Sequence, residues 1–338
     1  MKPKVVITGG CSYSQVPNKD FTWPIHLIKS LTPDIFSTTG HGGSGNEVIS
    51  RYIISSVQHA LDDGYKAEDM LVGVAWSGCD RAVYYSDTID RESASELNQI
   101  TVIPLLNNGG LSPVEREEVF QNIVNKRHPK QNWPVNGLIN IADIDAYCDN
   151  IGGFWSYNHP LNIRSTKNAG FYTLNAHWDD ELSIGYYSNY TNPAYAIMQT
   201  CEHILRTQWF LKSLNIKYFM TEYDHDVFTY MGPHDSTLYP NPNQLEGFSI
   251  LKKSGRWDND IKHKEEMNII YDHPEVSYLY DMIDKDHWLP VRDLKNWTME
   301  ESPYEQRDPT DSHPSTEQHK DFTEKVILPF LLEKYNIS

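Results

Sequence analysis

A doubly wound α/β domain, with helices on both sides of a central parallel sheet, is the fold this sequence predicts. Three observations carry it. The first eighty residues alternate strand and helix signals in the order β-α-β-α-β. A continuous apolar run, MLVGVAW at 70–76, has the length and character of a strand buried on both faces. The same helix-then-strand rhythm returns at 194–221, and a capped helix closes the sequence at 315–335.

The elements follow in order. Residues 4–8 (KVVIT) form a β-branched run ending in Gly9-Gly10, which reads as a buried strand entering a tight turn. Residues 21–31 (FTWPIHLIKSL) have apolar positions at helical spacing, with Thr22 as N-cap and Pro24 in the first turn. A short strand at 34–38 leads into the glycine-rich GHGGSGN of 40–46, and 46–61 carries a helical apolar face at Val48, Ile49, Tyr52, Ile53, Val57 and Leu61. From 81 to 192 periodicity is lost in an Asn-, Tyr-, Asp- and Gly-rich stretch, expected to be an insertion with helices near 115–125. The rhythm resumes with a helix over 194–214 and a strand over 216–221, followed by a loop-rich stretch from 222 to 275. Ser315 is placed to cap the last helix, with Glu317 or Gln318 completing the cap. No internal repeat or low-complexity linker divides the 338 residues, so one domain is expected over 1–338, with 81–192 inserted in it.

Composition narrows the classes of partner. Hydrophobic residues at 39% suffice for a packed core. Against 46 acidic residues stand 29 basic ones, a net charge of −17 with no basic cluster, which argues against nucleic acid and against anionic membranes. The opening MKPKVVITGG turns from apolar to glycine too soon for a secretory leader, so synthesis in the cytoplasm is expected. Cys11, Cys79, Cys148 and Cys201 are scattered without a C-x-x-C pair and read as reduced structural residues. The His177-Trp178-Asp179-Asp180 and Asp224-His225-Asp226 clusters match no recurring ligand spacing, and no metal or other cofactor is expected. His319 reads as a structural histidine. Trp76, Trp155, Trp178 and Trp209 suit either core packing or a sugar-binding cleft.

Two segments carry possible chemistry. Gly9-Gly10-Cys11-Ser12-Tyr13-Ser14 follows the first strand directly, a place where a serine hydroxyl is presented beside helix amides able to stabilise an oxyanion. Asp311-Ser312-His313-Pro314-Ser315 precedes the last helix, and a histidine oriented by a carboxylate is the usual acceptor of a serine's proton. Taken singly, a G-x-S is more often a turn cap and a D-x-H-P an ordinary loop.

Taken together, and in these positions, the two segments resemble the SGNH (GDSL-type) hydrolase superfamily, whose serine lies after the first strand and whose Asp and His lie before the last helix. Trp23-Pro24 and the Gly43-Ser44-Gly45-Asn46-Glu47-Val48-Ile49 block add to the likeness, which covers about half of the chain. The resemblance implies a three-layer α/β/α, flavodoxin-like fold. It also implies Ser12 as nucleophile, His313 as general base and Asp311 as its orienting carboxylate, with Asp308 in reserve. The oxyanion hole would be formed by Ser12 and Gly43, with Gly42 and Gly45 competing for the latter role. Three departures stand out. Cys11 replaces the family's Asp before the nucleophile. The block after the third strand, Trp76-Ser77-Gly78-Cys79-Asp80-Arg81, has no Asn, leaving Ser77 as the substitute donor. Asp311 lies two residues before His313, with Thr310 at the family's position.

The implied activity is that of a serine esterase working through an acyl-enzyme on an acylated small molecule or a glycan, with O-deacetylation preferred. Two alternatives accompany it: an O-acyltransferase, and a catalytically degenerate structural or glycan-binding component of a virion with protein partners. The D-S-H-P-S and W-S-x-x-x-R segments resemble divergent SGNH-like proteins of tailed phages, which is where the virion alternative arises.

Overall fold

The computed structural model describes residues 2–14, 22–40, 44–79, 81–86, 138–145, 148, 170–175, 186, 190–191, 193–222, 273–293 and 314–337. In chain order the strands are β1 Val5–Gly9, β2 Ile35–Thr38, β3 Met70–Trp76, β4 Arg81–Ser86, β5 Ile139–Asn140, β6 Gly170–Asn175, β7 Lys217–Glu222 and β8 Trp288–Asp293. The helices are α1 Trp23–Leu31, α2 Asn46–Asp62, α3 Pro193–Ser213, α4 Pro274–Asp281, α5 Thr316–Phe322 and α6 Leu328–Tyr335, the last two joined by a π-helical turn at Thr323–Ile327. The fold is α/β. The predicted elements of the first eighty residues, the long helix and the strand after it stand within one or two residues of their expected bounds.

The main sheet has the order β5-β2-β1-β3-β7-β8. Its five longer strands are parallel, with Val5 level with Ile35 and Met70, Leu71 with Lys217, and Met220 with Trp288. The sheet is nevertheless mixed, a correction to the expected all-parallel arrangement, because β5 joins β2 antiparallel through Ile35–Asn140 and Phe36–Ile139. This two-residue strand covers part of the edge that β2 would otherwise leave open, and its shortness limits the new edge it creates. The segment expected to be an insertion supplies β5 and also a separate antiparallel ladder, in which β4 runs from Arg81 level with Asn175 to Ser86 level with Gly170. The expected helices near 115–125 lie outside the described residues.

Side-chain alternation sorts the core into two clusters. Val5, Ile7, Val72, Val74, Tyr218 and Met220 point to the face packed by α2, α3 and α4. Val6, Leu71, Ala75 and Phe219 point the other way, to α1 and the C-terminal helices, where Phe322, Ile327, Leu331 and Ile337 are fully buried. Both faces of the central strands are therefore apolar, which explains why MLVGVAW shows no polar alternation.

The last helix begins at a capping box. The Ser315 hydroxyl accepts from the Gln318 N–H at 3.2 Å, and the Gln318 side chain accepts from the Ser315 N–H at 2.7 Å. Its far end is fixed to the sheet by Tyr335, whose hydroxyl donates to the Tyr218 carbonyl at 2.6 Å and accepts from the Tyr218 N–H at 3.3 Å. Tyr218 stands near the start of β7, so the helix runs antiparallel to that strand and sets Ser315 at the sheet's carboxyl edge. All four cysteines are free and buried. Among the described residues no helix is long and apolar enough to cross a membrane.

Candidate functional site

The carboxyl edge of β1 opens into a 3₁₀ turn, Ser12–Ser14, closed by the Ser14 N–H donating to the Cys11 carbonyl at 3.0 Å. The turn is held from below by α1. Trp23 donates its indole N–H to Ser14 Oγ at 3.0 Å and meets Phe219 edge-to-face at 5.8 Å. Gly10 is required there, because a Cβ at this position would lie 2.2 Å from Ser14 Oγ and 2.9 Å from the Ala75 carbonyl oxygen. Cys11, fully buried in the core shared with α1, is placed for packing and not for attack on a ligand. Ser12 occupies the first position of the turn, between the ends of β2 and β3.

Beside it ends β3. Gly9 is level with Val74, so Ser12 and Ser77 each lie three residues past a paired position on neighbouring parallel strands. Ser77 is buried and held by Asn46, the first residue of α2. The Ser77 N–H donates to Asn46 Oδ1 at 2.8 Å, while Asn46 Nδ2 donates to the Ser77 carbonyl at 2.8 Å and to Thr200 Oγ1 at 3.3 Å. A backbone donor on one side and a backbone acceptor on the other fix the orientation of the amide. Arg81 adds a third contact, donating from Nη1 to Ser77 Oγ at 2.7 Å. Gly45, the N-cap of α2, lies against the Arg81 backbone, where a Cβ would come within 2.5 Å of the carbonyl oxygen. The start of α2 and the 77–81 turn are thus fastened together. The backbone N–H of Ser77 is committed to this joint, and its hydroxyl oxygen to Arg81.

At the same edge, Pro314 and Ser315 are buried at the head of the last helix. The structure therefore brings Ser12, Ser77 and the residues following His313 to one end of the sheet. His313, Asp311, Asp308 and Gly43 lie outside the described residues, as do the 177–180 and 224–226 clusters, Trp155 and Trp178. His319 is buried one turn into α5, Trp76 is buried at the end of β3, and Trp209 is exposed.

Two residues of this edge were not singled out by the sequence. Asn46 stood in the glycine-rich block without a role, and only its asparagine identity at a helix start hinted at one. Glu222 is fully buried at the end of β7, level with Trp76, one residue beyond the strand expected at 216–221. Among the described residues no group of three or more His, Cys, Asp or Glu side chains is placed to hold a metal ion. No family model, curated protein or solved structure matches the chain.

Proposed function

We propose that this protein is a serine esterase of three-layer, flavodoxin-like SGNH architecture, with Ser12 as its nucleophile. The observation that carries the reading is the position of Ser12 in the strand order. Setting aside the antiparallel edge, the parallel strands run second, first, third, fourth, fifth, and in sheets of that order ligands bind at the carboxyl edge where the order reverses, beside the first and third strands. Ser12 stands in the turn at that crevice, with Ser77 on one side and the head of the last helix at the same edge.

In this reading Ser12 Oγ attacks the acyl carbonyl as His313 takes its proton, and His313 returns the proton to the departing alcohol oxygen. Water then repeats the sequence to release the acid and free Ser12. Asp311 orients the imidazole. The N–H groups of Ser12 and Gly43 hold the oxyanion, and the Ser77 hydroxyl supplies a third donor. The substrate class is an acylated small molecule or glycan, with O-acetyl groups preferred.

A fluorophosphonate probe and p-nitrophenyl acetate test the proposal. Wild type should be labelled and should turn over the ester, and Ser12→Ala should lose both while keeping its thermal unfolding transition. Equal labelling of the two proteins, or none of either, would overturn it.

One observation favours the degenerate structural or glycan-binding alternative. Ser77 is fully buried with its hydroxyl oxygen engaged by Arg81, which holds the third donor back from the crevice, and loss of one oxyanion donor typically costs about 10²–10³ in rate. On that reading the wild type shows no Ser12-dependent labelling. Acyl transfer to a sugar acceptor would share the first half-reaction and appear as labelling with acceptor-dependent turnover.

A further inference from the structure

We propose that the open cleft between α2, α3 and β4 binds one ring of a neutral sugar, held by Gln199, Thr200 and His203. The catalytic meaning of this site rests on the reading of Ser12 as a nucleophile, in which the ring is the alcohol half of the ester. The cleft measures about 450 Å³, open solvent included. It is tied to the candidate site by Asn46, which stands in its wall and donates from Nδ2 both to the Ser77 carbonyl at 2.8 Å and to Thr200 Oγ1 at 3.3 Å. The cleft therefore lies at the carboxyl edge of the sheet, where α2 begins and the turn after β3 ends.

The wall contributed by α3 is uncharged. Ala196, Gln199, Thr200 and His203 are spaced to share one face of that helix and line the cleft together. Burial, with Arg206 and Arg51 adding to it, pushes the His203 imidazole down to about 4, so it carries no charge at neutral pH. Across the cleft the charged side chains are engaged within the protein. Glu47 pairs with Arg51 one turn along α2, and Arg81 donates to Ser77 Oγ at 2.7 Å. Tyr186 adds an aromatic ring to the wall, a surface against which the C–H face of a sugar packs.

The α3 face holds hydrogen-bonding capacity that the protein itself leaves unused. Thr200 Oγ1 accepts from Asn46, while its hydroxyl hydrogen has no acceptor among the described residues. Gln199 gives an amide N–H to Tyr195 Oη at 2.9 Å, and its carbonyl oxygen has no donor among them. The neutral imidazole of His203 has one donor and one acceptor nitrogen, neither bonded to a described residue. Gln199 and Thr200 precede His203 by four and three residues, which sets them about 5–6 Å from it, the scale of one sugar ring. A hydroxyl both gives and accepts, so neighbouring ring hydroxyls answer a donor, an acceptor and a mixed pair at once. An apolar ligand would cover these groups and leave them unpaired. A carboxylate or phosphate would meet the Gln199 carbonyl and the Glu47 carboxylate as well as the donors, and a cation would find that carboxylate already paired.

Saturation-transfer NMR titration of the full chain tests this, with glucose, galactose, mannose and N-acetylglucosamine as the sugars and acetate and sulfate as the anions. At least one sugar should bind saturably in the millimolar range, with the same affinity at low and high salt because the ring brings no charge. Its affinity should fall at least about fivefold in His203→Leu and in Thr200→Val, which remove one or two hydrogen bonds to the ring, and stay within about twofold of wild type in His203→Gln, which keeps a donor and an acceptor. The His203 imidazole bonds no described residue, so its variants should keep the wild-type thermal unfolding transition. Saturable binding by none of the four sugars would overturn the proposal. So would wild-type affinity in both His203→Leu and Thr200→Val, or tighter binding of either anion than of any sugar. Ser12→Ala should bind the sugar as wild type does, so a failure of the Ser12 reaction and a failure of this site are read separately.

Discussion

Asn46 is buried to 2% exposure and bonds both backbone polar groups of Ser77. Its removal should be costly, since Asn46→Ala leaves a buried N–H and a buried carbonyl without their partner, at about 1–3 kcal/mol each. A loss of about 2–5 kcal/mol is expected in urea unfolding, read as a lower midpoint with an unchanged slope. A loss below 1 kcal/mol would mean that water takes over both bonds. At this scale the sequence was legible where chemistry has a local signature. Ser12 follows a strand and two glycines, and Ser77 follows an apolar run. Asn46 and Ser77 meet across 31 residues, and nothing in the spacing of either announces the other. Glu222 was hidden differently, because a carboxylate ending an apolar strand looks like the first residue of a solvated loop.

Elements were legible in proportion to their length and periodicity. The runs that became β1, β3, α2 and α3 are long or regular enough to declare themselves. The capping box at the head of α5 was readable for the same reason that it forms, a serine followed three residues later by a glutamine whose side chain reaches back. Ser315→Ala removes the acceptor for the Gln318 N–H and should cost about 1 kcal/mol, measurable as a lowered thermal midpoint. Gln318→Ala should cost less, because Ser315 keeps its own bond. Strand β5, with two residues, has no periodicity to read, and β4 finds its partner β6 only after more than eighty intervening residues. The sequence reading was silent on α4 and β8, which lie between a loop-rich stretch and the D-S-H-P-S segment.

At the scale of the whole molecule, the opening strands and the closing helix complete one another. Phe322, Ile327, Leu331 and Ile337 are fully buried over the face formed by Val6, Leu71 and Phe219. At about 1.5–3 kcal/mol for each large side chain, their removal approaches the 5–15 kcal/mol that holds an ordinary domain folded. A chain ending at residue 315 should therefore lose its cooperative unfolding transition and bind an apolar dye. A sharp urea transition in that variant would show that the sheet stands without its last cover. The arrangement also has a meaning in time. During synthesis β3 is finished at Trp76, and the helices that complete the cover begun by α1 on its second face start about 240 residues later. At about 5–20 residues per second, the part of that side which α1 leaves open waits about 12 to 48 seconds for its partner. Apolar surface left open for that interval is prone to aggregate, so a chaperone that engages apolar strands should raise the soluble yield of the full chain.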